Sequence, residues 1–186
     1  MRLISSESQS SRSLLNSSSS IFSNSSRSSW TEPRLLRGKI YFFTRKFGAA
    51  EQDLQKILEE DSSHPYAKLW LAKVIATDEK RLKEAAALLT ELTDRNPDDV
   101  VAHYYLARCL EQTGEYGRAI VHYQHALGAE YHLSKAHLHL GTLLKAHKLE
   151  GRAAKHFRRV EQLSINKEDA RKARQLLATE EASSEK

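Results

Sequence analysis

Similar residues recur 34 positions apart in this chain, and no other feature constrains its fold as strongly. Small and large apolar side chains follow one another in nearly the same order in the two copies. The first copy comprises Leu106, Ala107, Leu110, Ala119, Tyr123 and Ala126, and the second comprises Leu140, Gly141, Leu144, Ala153, Phe157 and Val160. A period of this length indicates a stacked array of helical hairpins, because a single hairpin cannot bury its apolar face alone.

The first copy carries its own helix start and stop signals. Residues 96–99 supply capping oxygens, a proline suited to a first turn, and negative charge near the positive end of a helix. Gly114 can adopt the left-handed backbone conformation that ends a helix. A second helix follows from Tyr116, so this segment is predicted to form one helix–turn–helix hairpin.

These residues resemble the signature of the tetratricopeptide repeat, abbreviated TPR. The matching positions are Leu106, Ala107, Leu110, Gly114, Tyr116, Ala119, Tyr123 and Ala126. The following copy departs from the signature at Lys148, where a turn glycine belongs, and at Glu150, where an aromatic residue belongs. Two further copies lie upstream, one with Leu71, Ala72, Ile75, Ala85, Leu89, Leu92 and Pro97, and a weaker one with Gly38, Tyr41, Phe47, Ala50, Leu54 and Ile57.

The resemblance implies an all-α fold, a right-handed superhelical TPR-like solenoid of antiparallel helix hairpins. About four repeats would cover residues 32–166, at 32–64 (a degenerate copy), 66–99, 100–133 and 134–166. Residues 167–179 are predicted to form a C-terminal capping helix, because such an array needs a polar-faced terminal helix over its last apolar surface. Residues 180–186 are predicted to be a polar tail.

Residues 1–30 form a low-complexity segment in which about half of the positions are serine. The segment has too little apolar surface to offset its conformational entropy, so it is predicted to be a disordered tail. Its arginines and its single acid, Glu7, also fit an organellar transit peptide. Two hypotheses therefore stay open: a cytoplasmic protein with a disordered N-terminus, or a mitochondrial or plastid assembly or biogenesis factor whose mature chain begins near Trp30.

Simple counts exclude several kinds of protein and site. No apolar run approaches the length of a membrane span. The single cysteine, Cys109, excludes an internal disulfide and a zinc site built from several thiolates. The serines are plentiful only in the predicted tail, which cannot hold a nucleophile against an oriented base, so we expect neither catalysis nor a cofactor. Basic residues near the C-terminus are expected on solvated helix faces, so we expect no nucleic-acid partner. We also expect no small-molecule substrate.

Histidine is frequent in this chain, but its placement follows the repeat. The nine residues are His64, His103, His122, His125, His132, His137, His139, His147 and His156. His103 and His137 are one repeat apart, and so are His122 and His156. No carboxylate or cysteine completes a recognisable ligand set, so we expect no metal site. We expect His122 and His125, which share a helix face, to stack beside His156 on the outer surface.

In the TPR family, the first helices of successive hairpins line a concave groove in which partner peptides lie. The resemblance places in this groove Lys73, Tyr104, Tyr105, Arg108, Glu111, Gln112, Lys135, Leu138, His139, Thr142 and Lys145. Aromatic rings offer rigid contact area, and Arg108, Lys135 and Lys145 can pair with carboxylates. The asparagines of the two-carboxylate clamp that grips chaperone C-termini are absent. We therefore expect a non-catalytic protein–protein interaction module or scaffold that binds a partner peptide or helix.

Overall fold

The computed structural model describes residues 30–127, 130–163 and 166–184, and the side chains of 130–133 and 180–184 lie outside this description. Within those ranges every regular element is a helix, which confirms the predicted all-α fold class of helix hairpins. The predicted disordered tail and the alternative transit peptide fall on residues 1–29, which are not among the described residues. The chain divides into two compact units, Met1–Trp70 and Leu71–Lys186.

The described part of the first unit comprises α1 (residues 30–43), α2 (Phe47–Glu60) and the first turns of α3 (Pro65–Ile75). Helices α1 and α2 approach closely at Gly38, where an added Cβ would lie 3.2 Å from Leu54 Cγ. Arg37 donates two hydrogen bonds to the Asp53 carboxylate, at 2.6 and 2.7 Å, and ties the same two helices together. The small residue at position 38 thus permits the close helix crossing of this hairpin.

The second unit continues with the end of α3, a 3₁₀ turn at Glu79–Arg81, and the helices α4 (Leu82–Arg95), α5 (Val100–Gln112), α6 (Tyr116–Ala126), α7 (Glu130–Ala146), α8 (Glu150–Leu163) and α9 (Lys167–Ser184). Neighbouring helices pack on one another in chain order from α4 to α9. Helix α7 also contacts both α5 and α9, so these three helices lie side by side. Helix α9 extends past residue 179 into the segment predicted to be a polar tail.

The apolar positions of the 34-residue repeat form the core of the second unit. The largest fully buried side chains among them are Leu106, Leu110, Tyr123, Leu140, Leu144, Phe157 and Val160. Helix α7 crosses α8 at Gly141, where an added Cβ would lie only 2.7 Å from Phe157 Cε1. Ala107 holds the same repeat position in α5 and is also buried. Small residues therefore mark the helix crossings, and large ones fill the space between them.

Three hairpin turns share one backbone geometry, although only one of them contains a glycine at the critical position. Gly114 has a φ of +83°, whereas Lys148 and Arg45 have φ values of +60° and +59°. In all three turns the next residue donates its N–H to the carbonyl five positions back, at 2.8 to 2.9 Å. Gly114 confirms the predicted helix stop. Lys148 and Arg45 hold the same left-handed conformation against the steric preference of an L side chain.

Candidate functional site

The residues predicted to line a groove all lie in the second unit, on the first helices of its hairpins. Helix α3 contributes Lys73, α5 contributes Tyr104, Tyr105, Arg108, Glu111 and Gln112, and α7 contributes Lys135, Leu138, His139, Thr142 and Lys145. Contact between α5 and α7 brings the last two groups together. Their side chains fall into a central hydrogen-bonded network, a pair of buried supports and an accessible set.

The central network joins three helices through one carboxylate. The Tyr123 hydroxyl of α6 donates to Glu111 Oε2 of α5 at 2.6 Å, and His139 Nδ1 of α7 lies 3.1 Å from the same oxygen. The imidazole of His139 also stacks on the Tyr123 ring, with centroids 5.5 Å apart and planes 10° apart. Burial raises the pKa of Glu111, but the hydrogen bonds from His139 and Tyr123 outweigh it and leave the pKa below its usual range. Glu111 is therefore ionised and already bonded within the chain at neutral pH.

Tyr104 and Leu138 lie beneath the surface that they were predicted to line. Their side chains are only 3% and 7% exposed. The Tyr104 ring packs edge-on against Tyr105 at 5.2 Å and against His139 at 6.2 Å. Burial raises the pKa of Tyr104 to about 12, so its hydroxyl stays protonated. These two residues support the network and the accessible side chains from below.

The accessible set consists of Lys73, Tyr105, Arg108, Gln112, Lys135 and Thr142. Tyr105, Arg108 and Thr142 are half-buried, whereas Gln112 and Lys135 are exposed. The ammonium of Lys73 stands over the Tyr105 ring, 4.7 Å from its centroid, which is a cation–π contact. The Thr142 hydroxyl donates to the Leu138 carbonyl of its own helix at 2.8 Å.

Lys145 makes contacts that the repeat signature does not predict. Its ammonium donates to the Leu176 carbonyl at 3.1 Å and to Thr179 Oγ1 at 2.6 Å, so it binds α9. Asp169, also on α9, raises the pKa of Tyr104 as a lesser cause after burial. Sequence reasoning missed the surface of α9, although the repeat contained the signal. Thr179 and Asp169 lie one period after Lys145 and Lys135.

Other kinds of site find little support in the described residues. Nowhere among them do three or more His, Cys, Asp and Glu side chains come together in a group that could hold a metal ion. Cys109 is buried, and this burial raises its pKa to about 11, which makes its thiol a poor nucleophile at neutral pH. Of the helices in the described part of the chain, none is long and apolar enough to cross a membrane.

Comparison with known sequence families gives two matches of one kind. Two family models, each described as tetratricopeptide repeat, match residues 76–132 and residues 35–92. Together they reach from α1 into the first turn of α7. A search of curated proteins gives no match.

Several solved structures share the fold at low sequence identity. PilF of Pseudomonas aeruginosa superposes with a TM-score of 0.74 at 21% identity, over 84% of this chain and 72% of that chain. A thermophilic TPR protein of Thermus thermophilus gives 0.65 at 18% identity, over 82% of each chain. MamA of Desulfovibrio magneticus gives 0.64 at 23% identity, over 72% of this chain and 75% of that chain. These likenesses concern the fold alone.

Proposed function

Since the chain belongs to the tetratricopeptide repeat family, we propose that it is a non-catalytic protein-interaction module that holds a segment of a partner protein. The segment, extended or helical, lies across the first helices of two successive hairpins. We call this region the α5–α7 surface and define it by Tyr105, Arg108, Gln112, Lys135 and Thr142. Recognition of this kind derives affinity from burial along the surface and selectivity from its charges.

The observation that carries the proposal is the rigid network beneath the α5–α7 surface. Glu111, Tyr123 and His139 fix the relative positions of α5, α6 and α7 through one shared carboxylate. A surface carried on helices that are already held together loses less conformational entropy when it binds a ligand. The network thus supports the helices that carry the α5–α7 surface before a partner binds.

The charges of the α5–α7 surface favour an acidic partner segment. Glu111 is an acid of this region, and its carboxylate is committed to Tyr123 and His139. The two ionised side chains among the residues that define the surface, Arg108 and Lys135, are both cationic, and Arg108 also helps to lower the pKa of Glu111. The guanidinium can hold a carboxylate in a bidentate pair, and the ammonium adds a second point of attraction. We therefore expect at least one carboxylate of the partner segment to contact Arg108.

The proposal is tested by comparing the wild type with two variants of the same chain. The wild type, an Arg108→Ala/Lys135→Ala variant and a Lys83→Ala/Lys155→Ala control are used to capture partners from native lysate. The control removes the same charge from the second helices α4 and α8, where both lysines are exposed. A captured protein is then reduced to its shortest binding peptide, and its Kd is measured by calorimetry.

We expect the Arg108→Ala/Lys135→Ala variant to bind that peptide at least about tenfold more weakly, because it loses two charge-assisted contacts. The control is expected to match the wild type, and circular dichroism is expected to show equal helical content in all three. Equal affinity for the wild type and the Arg108→Ala/Lys135→Ala variant would exclude the α5–α7 surface as the binding site.

The organellar hypothesis is a second proposal, and it concerns location rather than the binding surface. It rests on the arginine-rich, serine-rich and acid-poor composition of residues 1–30, with Glu7 as the single acid. The first described helix begins at residue 30, so removal of the preceding segment would leave every described helix intact. Such a factor would act in assembly or biogenesis through the same α5–α7 surface.

A further inference from the structure

Two histidine pairs, one repeat apart, join the helices of successive hairpins. In the α5–α6 hairpin, His103 Nδ1 lies 2.9 Å from His122 Nδ1. In the α7–α8 hairpin, His137 Nδ1 lies 2.7 Å from His156 Nδ1. Each distance is that of a hydrogen bond between two ring nitrogens. These four side chains play no part in the α5–α7 surface.

The bond in the first pair requires one nitrogen to be a donor and the other to carry a lone pair. His103 Nε2 lies 2.9 Å from the Pro97 carbonyl, which can only accept, so the hydrogen of neutral His103 is on Nε2. Its Nδ1 then accepts from the Nδ1–H of His122. One added proton is compatible with the bond, because a charged ring can donate to a neutral one. Two added protons are not, since both Nδ1 atoms then carry hydrogen and both rings are positive.

The charged groups around the two pairs differ in sign. Around His103 and His122 they are Asp98 and Asp99 at the start of α5, Asp94 on α4, and Arg118 and His125 on α6, with the His125 ring stacked on His103 at 4.7 Å. Around His137 and His156, among the described residues, the charges are Arg152 and Arg159 on α8. The second pair therefore has cations beside it, which oppose its protonation further.

We propose that the two pairs are proton-operated latches, which hold the α5–α6 and α7–α8 hairpins closed at neutral pH and release both when each pair takes up two protons. The same bond recurs in consecutive hairpins, so acid acts on both hairpins in the same direction. The inference does not depend on the proposed binding function. It assigns the protein a loss of hairpin stability as the pH falls below 6.5.

The direction of the pH effect follows from the burial of these rings. Burial lowers the pKa of His122 to about 4 and that of His137 to about 4, from an ordinary value of 6.5. Burial also lowers the pKa values of His103 and His156. Between pH 6.5 and 4 the unfolded chain therefore binds more protons at these positions than the folded chain does. Their contribution to stability is full above pH 6.5 and is lost as the pH falls toward 4.

Thermal unfolding of the full chain at pH 7.5 and pH 5.0 tests the latches. A His122→Gln/His156→Gln variant keeps one histidine and one hydrogen-bonding amide in each pair, so neither pair can acquire two positive charges. We expect the Tm of the wild type to fall between the two pH values by about 5 °C more than that of the variant. A His147→Gln control, which changes an exposed histidine outside both pairs, is expected to show the wild-type fall. Equal falls in the wild type and the double variant would overturn the proposal.

Two further measurements apply if the double variant does not fold at pH 7.5. The single variants His122→Gln and His156→Gln are each expected to remove about half of the excess fall in Tm. In the wild type labelled at the histidine Cε1 positions, the NMR signals of His122 and His137 are expected to stay at their neutral positions at pH 5.5. Full movement to the charged position at that pH, with helical content unchanged, would also overturn the proposal.

Discussion

At the scale of single residues, the hairpin turns show that backbone position and residue type can disagree. Gly114 supplies a φ of +83° without steric cost, whereas Lys148 adopts +60° at the equivalent turn one repeat later. The sequence predicts a turn at both places. At Lys148 the prediction rests on the register of the repeat alone, because lysine disfavours the left-handed backbone conformation. The Leu149 N–H closes this turn on the Leu144 carbonyl at 2.9 Å, while α7 packs on α8.

The strain at Lys148 leads to a prediction about stability. Lys148→Gly is expected to raise the free energy of unfolding by about 0.5–1 kcal/mol, because it removes a Cβ from a left-handed position. Lys148→Ala removes the charge but keeps the Cβ, so it is expected to give no such gain. Urea unfolding of the three proteins measures the difference. Equal gains in both variants would attribute the effect to charge and contradict the strain argument.

Single residues also show which contacts can be predicted from the sequence and which cannot. Asp99 caps α5 as predicted, accepting from the N–H groups of Val101 and Ala102 at 3.1 and 2.9 Å. The sequence predicts such a cap because the capping carboxylate lies within a few residues of the N–H groups that it binds. The expected stacking of His122 beside His156 is wrong, because His122 pairs with His103 across its own hairpin. The packing of α5 against α6 brings His122 to His103, and the spacing of the histidines along the sequence does not reveal this pairing.

At the scale of helices, the alternation of small and large residues controls how closely a hairpin closes. Gly141 of α7 leaves room for the ring of Phe157 on α8, which is fully buried. The repeat puts small residues at Ala107 and Gly141 and large ones at Tyr123 and Phe157, and the structure shows that Gly141 and Phe157 meet. The contact of Lys145 with Leu176 and Thr179 on α9 was missed because that helix carries no TPR signature, and only the 34-residue spacing from Lys145 to Thr179 points to it.

The helix crossing at Gly141 gives a prediction with a matched control. Gly141→Ala is expected to lower the free energy of unfolding by about 2 kcal/mol, because its Cβ would lie 2.7 Å from a ring atom that has no space to move. Gly151→Ala, on the first turn of α8 with no atom within 4 Å of the added Cβ, is expected to be neutral or slightly stabilising. Chemical denaturation measures both changes. A Gly141→Ala variant as stable as the wild type would refute the close crossing.

At the scale of the whole molecule, the second unit builds its candidate site from repetition. Successive hairpins place α5, α7 and α9 side by side, and the side chains between them join into the Glu111 network and the Lys145 contacts with α9. The repeat predicts that the candidate residues lie on the first helices of successive hairpins, and binding of a partner there stays a prediction. It did not predict that Tyr104 and Leu138 are buried, because the tilt of neighbouring helices decides which positions face solvent.

The central claim is that a partner segment lies on the α5–α7 surface, and an NMR footprint tests it most directly. The backbone amide signals of the full chain are recorded before and after addition of the minimal binding peptide. We predict that the largest shifts cluster at Tyr105, Arg108, Gln112 and Lys135, on the first helices of two hairpins. Shifts confined to the second helices α6 and α8, with those four signals unmoved, would contradict the account.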